Sequence, residues 1–398
     1  MTSNSTSHAA DSTVSERVEG PESVDSNAAP LNQIIKDPLP LSSNTGGPMM
    51  PTTVATGDLQ SQDNIIADHQ FTAQSEDGHI SVDIHDDSDS AVGDVDSRPG
   101  STMSIRSSIY DYVEENGRTY HRFKEGQYIM PNDEIEQNRL DMQHKLCLMT
   151  LNGKLHLAPI KKDPHHVLDI GTGTGIWAID FATKYPSASV IGSDLSPIQP
   201  DFLPPNCTFE VEDVEDEWVY RQKFDYIHGR LMVTCFKGEE GTRGVFAQAF
   251  NALAPGGYFE MQDGEFPMTS DDGTLADTAL WKWNLLMMEG GAKSGRPWTR
   301  TRMYKAWMIE AGFEDVREEL MIWPINTWPR DPHLKKLGLW FREDMLEALS
   351  STKAMLTRVH GWSSDDADMF LSQVRQDYMN RGIHAYTFFH VVYGRKPE

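Results

Sequence analysis

Val167-Leu168-Asp169-Ile170-Gly171-Thr172-Gly173-Thr174-Gly175-Ile176-Trp177 joins a short apolar run to a helical pattern through three alternate glycines. Residues 167–170, apolar but for Asp169, have the character of a buried parallel strand near its end. Ile176, Ala178, Ile179 and Ala182 then recur at helical spacing up to Pro186. The order is strand, glycine turn, helix. Glycine admits backbone angles and close ligand approach that a side chain forbids. The helix start offers unpaired N–H groups and the positive end of a dipole. Such a turn cradles a nucleotide-like ligand at the C-terminal edge of a sheet.

The dinucleotide fingerprint Gly-x-Gly-x-x-Gly fits poorly here. Counted from Gly171, its third glycine falls on Ile176; counted from Gly173, it falls on Ala178 and leaves Gly175 over. What stands is Asp-x-Gly-x-Gly-x-Gly, with the acid two residues before the first glycine. That pattern resembles motif I of class I S-adenosylmethionine-dependent methyltransferases. The resemblance implies that Asp169 lies near the methionine amino group and that Gly171, Gly173 and Gly175 pass under the ligand.

The segments that follow agree. Residues 189–194 read as a second strand ending in Asp194, 19 residues past Gly175. A carboxylate there can accept both hydrogen bonds of a ribose diol. Residues 208–211 read as a third strand running into Glu212-Asp213. In the methyltransferases an acid at this place takes the adenine amino group, a role the resemblance gives to Asp213. Further strands are expected at 224–227, at 258–261 after the Pro255-Gly256-Gly257 turn, at 316–323 and at 386–393.

Asn206-Cys207-Thr208-Phe209-Glu210-Val211-Glu212-Asp213, Trp218, Phe224-Asp225-Tyr226-Ile227-His228-Gly229-Arg230 and Val392-Tyr393-Gly394-Arg395-Lys396-Pro397 are together similar to the fungal LaeA-like methyltransferases, from near Ser104 to the C-terminus. That family includes regulators of secondary metabolism and development, some acting with velvet-type partners. The resemblance implies a class I methyltransferase fold: α/β, Rossmann-like, with a seven-stranded, mostly parallel sheet and helical insertions. It implies S-adenosylmethionine as cofactor, a protein or small-molecule acceptor, velvet-type partners, and the nucleus and/or cytoplasm as location. Two rival readings are a non-catalytic scaffold of the same fold and a nicotinamide-dependent oxidoreductase. Asp169 and the glycine pattern speak against the second.

Composition divides the chain of 398 residues. The first 100 residues hold 17 acidic and 3 basic residues, a net −14 of the total −25, and a single aromatic, Phe71. Such a segment cannot offset its chain entropy by burial, so 1–103 is expected to be a disordered, acidic, Ser/Asp-rich arm. Ser88, Ser90, Ser97 and Ser101 stand in it where a kinase could reach. Residues 104–398 carry nearly all the aromatics and form the methyltransferase domain, its core starting near 164. The acidity argues against direct nucleic-acid binding and against anionic membranes. Cys147, Cys207 and Cys235 are too few and scattered for a disulfide framework or a zinc site, which implies a reducing compartment. Residues 1–10 are polar, without the pattern of a secretory signal, and no apolar run reaches membrane-spanning length.

Outside the core, Asp133 after Pro131, with Glu136 three residues on, predicts a capped helix. Ile135, Met142, Leu146 and Met149 are its expected apolar face. The helix is expected on the substrate side of the fold, where Arg139, Asp141 and His144 either reach the ligand pocket or, as the default reading, are solvated. Helical insertions are expected at 264–298 and 333–382. The first holds a helix over 275–289 that Gly290-Gly291 should stop. A helix over 299–311 should bury Met303, Trp307 and Met308. Aromatic helices so placed either roof a pocket or build a satellite core.

Methyl transfer from a sulfonium is an in-line displacement with a neutral leaving group, so much of the catalysis can be positioning in a dry pocket. A base is needed only for an acceptor that starts protonated. His228, at the end of the fourth strand, is the candidate base, beside a purely structural role. Arg230 could orient an acceptor or pair with Asp225. The run after that strand lacks the Asn/Asp-Pro-Pro-aromatic motif of amide and adenine-amino methylators. No Pro-Cys nucleophile, spaced glutamate pair or His/Asp metal cluster is present, so no metal is expected. Deleting residues 1–100 is expected to leave the melting temperature and cofactor affinity nearly unchanged, since the arm has little apolar surface to dock. Thermal melts and titrations of the two chains check this; a large drop would mean that the arm packs on the domain.

Overall fold

The computed structural model describes residues 112–115, 117–121 and 130–398. The acidic arm expected over 1–103, with its serines, lies outside the described residues. Tyr112–Glu115 (β1) and Arg118–His121 (β2) form a two-stranded antiparallel ribbon. Glu134–Thr150 (α1) follows, capped as expected by Asp133, whose carboxylate accepts from Glu136 N at 3.0 Å.

The main sheet then begins. His166–Ile170 (β3), Ile176–Lys184 (α2), Ser189–Asp194 (β4), Cys207–Val211 (β5) and Phe224–Arg230 (β6) come first. Gly238–Ala252 (α3), Leu253–Gly264 (β7), Ala279–Lys293 (α4) and Tyr304–Glu310 (α5) come next. Glu314–Pro324 (β8), Pro332–Ala354 (α6), Ser364–Met379 (α7) and Tyr386–Arg395 (β9) complete the chain. The seven strands lie in the order β5-β4-β3-β6-β7-β9-β8, all parallel except β9, which runs antiparallel to both neighbours. This is the seven-stranded, mostly parallel architecture expected. The order reverses beside β3, and ligands of open α/β sheets enter at that crevice.

Each face of the sheet has its own core. Trp177, Phe181 and Ala182 of α2 pack on Val167, Val190 and Tyr226. Phe246 of α3 and Trp307 of α5 pack on Phe224, Ile227 and Phe259. A third cluster joins α1, α4, α6 and α7 to Trp323 of β8 and Phe389 of β9. The insertions thus build a core of their own over the antiparallel end of the sheet. Among the described residues, no helix is long and apolar enough to cross a membrane.

Several local expectations need correction. Gly290 and Gly291 do not stop α4, which runs on to Lys293. They are sites of close approach: a Cβ on Gly290 would lie 2.3 Å from Met355 Sδ, and one on Gly291 2.8 Å from the Arg296 carbonyl oxygen. Residues 301–303 form a 3₁₀ turn before α5, and Met303 is exposed while Trp307 and Met308 are buried. The buried face of α1 is also not the apolar one: Ile135 is 53 % exposed, while Glu136, Arg139 and His144 are buried beside Leu146 and Cys147. Helix α6 brings Asp344 to Arg139, so charge pairing overrides hydrophobic periodicity here. Asp141 is exposed as expected.

The antiparallel end carries a pH-sensitive tie. His390 of β9 sits between Glu265, just past β7, at 2.7 Å and Glu318 of β8 at 2.9 Å. Burial alone would lower the imidazole pKa; the two carboxylates outweigh it and hold it at about 8, above the ordinary 6.5. The stabilisation is therefore complete below about pH 6.5 and is lost as pH rises through about 8. Melting temperature should fall across that interval. The fall should be smaller in His390→Gln, and an unchanged slope in that variant would remove the assignment.

Candidate active site

The glycine turn is built by buried bonds that cross the sheet. Asp169 is 3 % exposed and accepts from Thr172 Oγ1 at 2.6 Å and from His228 Nδ1 at 2.7 Å. A carboxylate can only accept, so the proton of this neutral or charged imidazole stands on Nδ1. The His228 ring lies flat on the Trp177 indole, 3.8 Å between centroids and 5° between planes. Its exposure is zero, and its Nε2 has no partner among the described residues. Strand β6 runs on past Ile227 to Arg230, which places His228 inside the sheet rather than at its rim. This geometry gives His228 the task of holding Asp169.

Gly171, Gly173 and Gly175 all have positive φ, at +63°, +58° and +80°. A Cβ on Gly171 would meet Met232 Sδ, and one on Gly175 the Phe209 ring, both within 2.5 Å. Those two glycines answer to the protein's own packing. A Cβ on Gly173 would meet only Leu140 Cδ1, at an ordinary 3.5 Å, so its positive φ rather than close packing calls for glycine. Its N–H donates to Asp194 Oδ2 at 2.8 Å, and Ser196 N–H donates to Oδ1 at 2.9 Å. Burial pushes the Asp194 carboxyl up to about 6, so the carboxylate gains from further donors.

A cavity of about 250 Å³ runs along this edge. Asp169, Gly171, Gly173, Asp194, Asp213 and His228 all line it, while Gly175 faces Phe209 instead. Glu212 and Asp213, at the end of β5, lie on its wall; Asp213 accepts from Glu215 N at 2.9 Å and Glu212 from the Tyr220 hydroxyl at 2.7 Å. The cavity continues under the insertions to Trp283, Trp298, Trp323 and Phe341. The indole N–H groups of Trp283 and Trp323 are bonded to Thr352 and Thr150 hydroxyls. The insertions therefore serve both as core and as roof. Among the described residues, no His/Cys/Asp/Glu group suited to a metal occurs.

Residues 140–318 match a family model described as a methyltransferase domain. The chain is 37 % identical over 330 residues to "Methyltransferase pytC" of Aspergillus terreus, covering 82 % of this chain and 99 % of that protein. It is 38 % identical over 293 residues to "Secondary metabolism regulator LAE1" of Cochliobolus heterostrophus, covering 71 % and 94 %. It is 36 % identical over 299 residues to "Protein-methionine methyltransferase laeA" of Emericella nidulans, covering 74 % and 79 %.

The chain belongs to the LaeA-like methyltransferase family.

S-adenosylmethionine fits the cavity of this family member on structural grounds. The turn at Gly173 lines the cavity without close packing against it, and carboxylates stand at the ends of β3, β4 and β5, buried at Asp169 and Asp213 and half-buried at Asp194. Asp194 would hold the ribose and Asp213 the adenine edge, and the bound sulfonium would supply an activated methyl group.

Other residues around the site acquire their roles only in the tertiary structure. Arg139 pairs with Glu136 on its own helix and with Asp344, 205 positions away. Glu260, wholly buried in β7, accepts from Leu157 N and Ala158 N and fixes the segment leading to β3. Its acid between Phe259 and Met261 is the signal that could have marked it. Asp225 does not pair with Arg230. It accepts from His165 N, His166 N and Lys161, while Arg230 reaches His144 of α1. The two lie toward opposite ends of one strand.

Asp213→Ala should weaken S-adenosylmethionine by roughly 1–3 kcal/mol, the cost of leaving a buried amine without its acceptor. An analogue with oxygen in place of the adenine amine should lose much less on the same change. Titration of Asp213→Ala and Glu212→Ala with both ligands checks this. An amine-dependent loss only in Glu212→Ala would move the contact by one residue.

Proposed function

We propose that this chain transfers the methyl group of S-adenosylmethionine to an acceptor received beneath the insertion helices, in a regulatory role in fungal secondary metabolism or development. The observation that carries this reading is the continuity of one cavity, from Gly173 and Asp194 to Trp283 and Trp323. Donor and acceptor held in line in a water-poor space need little further chemistry. The chain's own contributions are plain. Asp169, Asp194 and Asp213 orient the donor; His228 and Thr172 hold Asp169; the aromatic roof excludes water. Relatives named for biosynthetic methyl transfer, for regulation and for protein-methionine methylation leave both small molecules and proteins, this chain included, as acceptors. A velvet-type protein as partner and the nucleus and/or cytoplasm as location belong to the same reading. Both rest on the family alone.

The test uses the full chain. Calorimetry should give saturable binding of S-adenosylmethionine and S-adenosylhomocysteine and none of NADH. With methyl-labelled donor, label should then appear on the chain itself or on a component of fungal extract. Donor binding without any transfer would favour the non-catalytic scaffold, and NADH binding would overturn the cofactor.

A further inference from the structure

The cavity walls carry guanidinium groups from Arg139, Arg230 and Arg296 among the described residues. Arg139 is engaged by Glu136 and Asp344, and Arg296 by Glu215. Arg230 differs. It stands half-buried at the last position of β6, two residues past His228 on the same face as Asp169 and His228. Its Nη2 lies 3.1 Å from His144 Nδ1, and no carboxylate of the described residues is within ion-pair distance. A cation on the wall of a water-poor cavity without a counter-charge is costly unless a ligand brings one.

The proposed donor brings that charge. Its methionine end is a zwitterion, and only its carboxylate is an anion. We propose that Arg230 binds the α-carboxylate of the methyl donor, and that His144 is the positioning residue that aims the guanidinium. This rests on the S-adenosylmethionine reading above.

The imidazole is well suited to the task. Arginine can only donate, so His144 Nδ1 accepts, and Nε2–H then donates to Asp180 Oδ2 at 3.1 Å. This is the neutral tautomer. Burial, the largest cause, keeps His144 neutral by lowering its pKa, and the Arg230 charge acts in the same direction against Asp180 and Asp141. The chain Asp180–His144–Arg230 thus ties α2 and α1 to the end of β6; the guanidinium also bonds to the Cys147 thiol of α1, and of its five N–H donors those that remain suit a planar, bidentate partner.

The experiment compares two ligands that differ by one group: S-adenosylmethionine and its decarboxylated form, which keeps the amine and the sulfonium. Both are titrated into the full wild-type chain and into Arg230→Gln, Arg230→Lys, His144→Leu and His144→Asn, each checked by thermal melting. Arg230→Gln should weaken S-adenosylmethionine roughly 10- to 100-fold, the worth of a charge-assisted hydrogen bond, and leave the decarboxylated ligand within about 3-fold. Arg230→Lys should fall between. His144→Leu should lose the same selectivity in part, and His144→Asn, which keeps an acceptor toward Arg230, should restore it. Equal losses for both ligands would make Arg230 structural, and no loss for either would place the carboxylate elsewhere; each overturns the proposal. A wild-type chain that binds neither ligand would remove the donor reading itself. One that binds both with unchanged preference across the variants would remove only the assignment to Arg230 and His144.

Discussion

The bond between Asp169 Oδ1 and His228 Nδ1 is the constraint on which the site depends. A carboxylate at 3 % exposure is costly to bury unless its oxygens are bonded. Here a neighbouring strand supplies an imidazole and the glycine turn supplies the Thr172 hydroxyl. Because β3 and β6 are paired in parallel with Asp169 opposite His228, the bond is a direct product of strand register. Trp177, one residue into α2, covers the imidazole face and donates its own N–H to the Leu155 carbonyl. One acid thereby fixes the turn, the helix after it and the segment before it.

A second polar layer sets the helices above the sheet. Glu136, Arg139 and Asp344 form a buried ion triad between α1 and α6, with Gln143 also donating to Asp344. Buried ion pairs add little net stability, because desolvation offsets attraction. They are costly to break, however, and a misaligned α1 would strand a charge. The triad therefore acts on geometry: it holds the pocket-facing side of α1 against the roof helix. The same helix carries His144, so it positions both a structural ion cluster and the imidazole that meets Arg230 on the cavity wall. This is also why α1 has so little apolar periodicity.

The cavity joins two unlike regions. At the ends of β3, β4 and β5 its wall is acidic and hydrogen-bonded to backbone, which suits a ligand rich in hydroxyls and amines. Beneath α4 and α6 the wall is largely carbon, with two indole N–H groups already bonded to threonines. The first region is made by local turns at strand ends. The second is assembled from insertions far apart in the chain.

Much of the first region was legible in the sequence. A strand, a glycine turn and a helix of the right lengths fix local backbone, and Asp169, Asp194 and Asp213 fall at strand ends by counting. Periodicity of two and of 3.6 suffices there, because each strand is short, buried and followed by a turn. The cap at Asp133 was legible for the same reason. What tertiary structure alone decided were the pairings. That Arg139 meets Asp344, that Arg230 meets His144 and not Asp225, and that His228 lies sealed on Trp177 depend on which surfaces face each other. Even Gly290 and Gly291, which read as a helix end, lie inside a continuing helix, where the close approach of Met355 and the Arg296 carbonyl leaves no room for a side chain. A sequence records which residues tolerate a local conformation; side chains meeting across a hundred positions are set by strand register and helix packing, and those exist only once the sheet has formed.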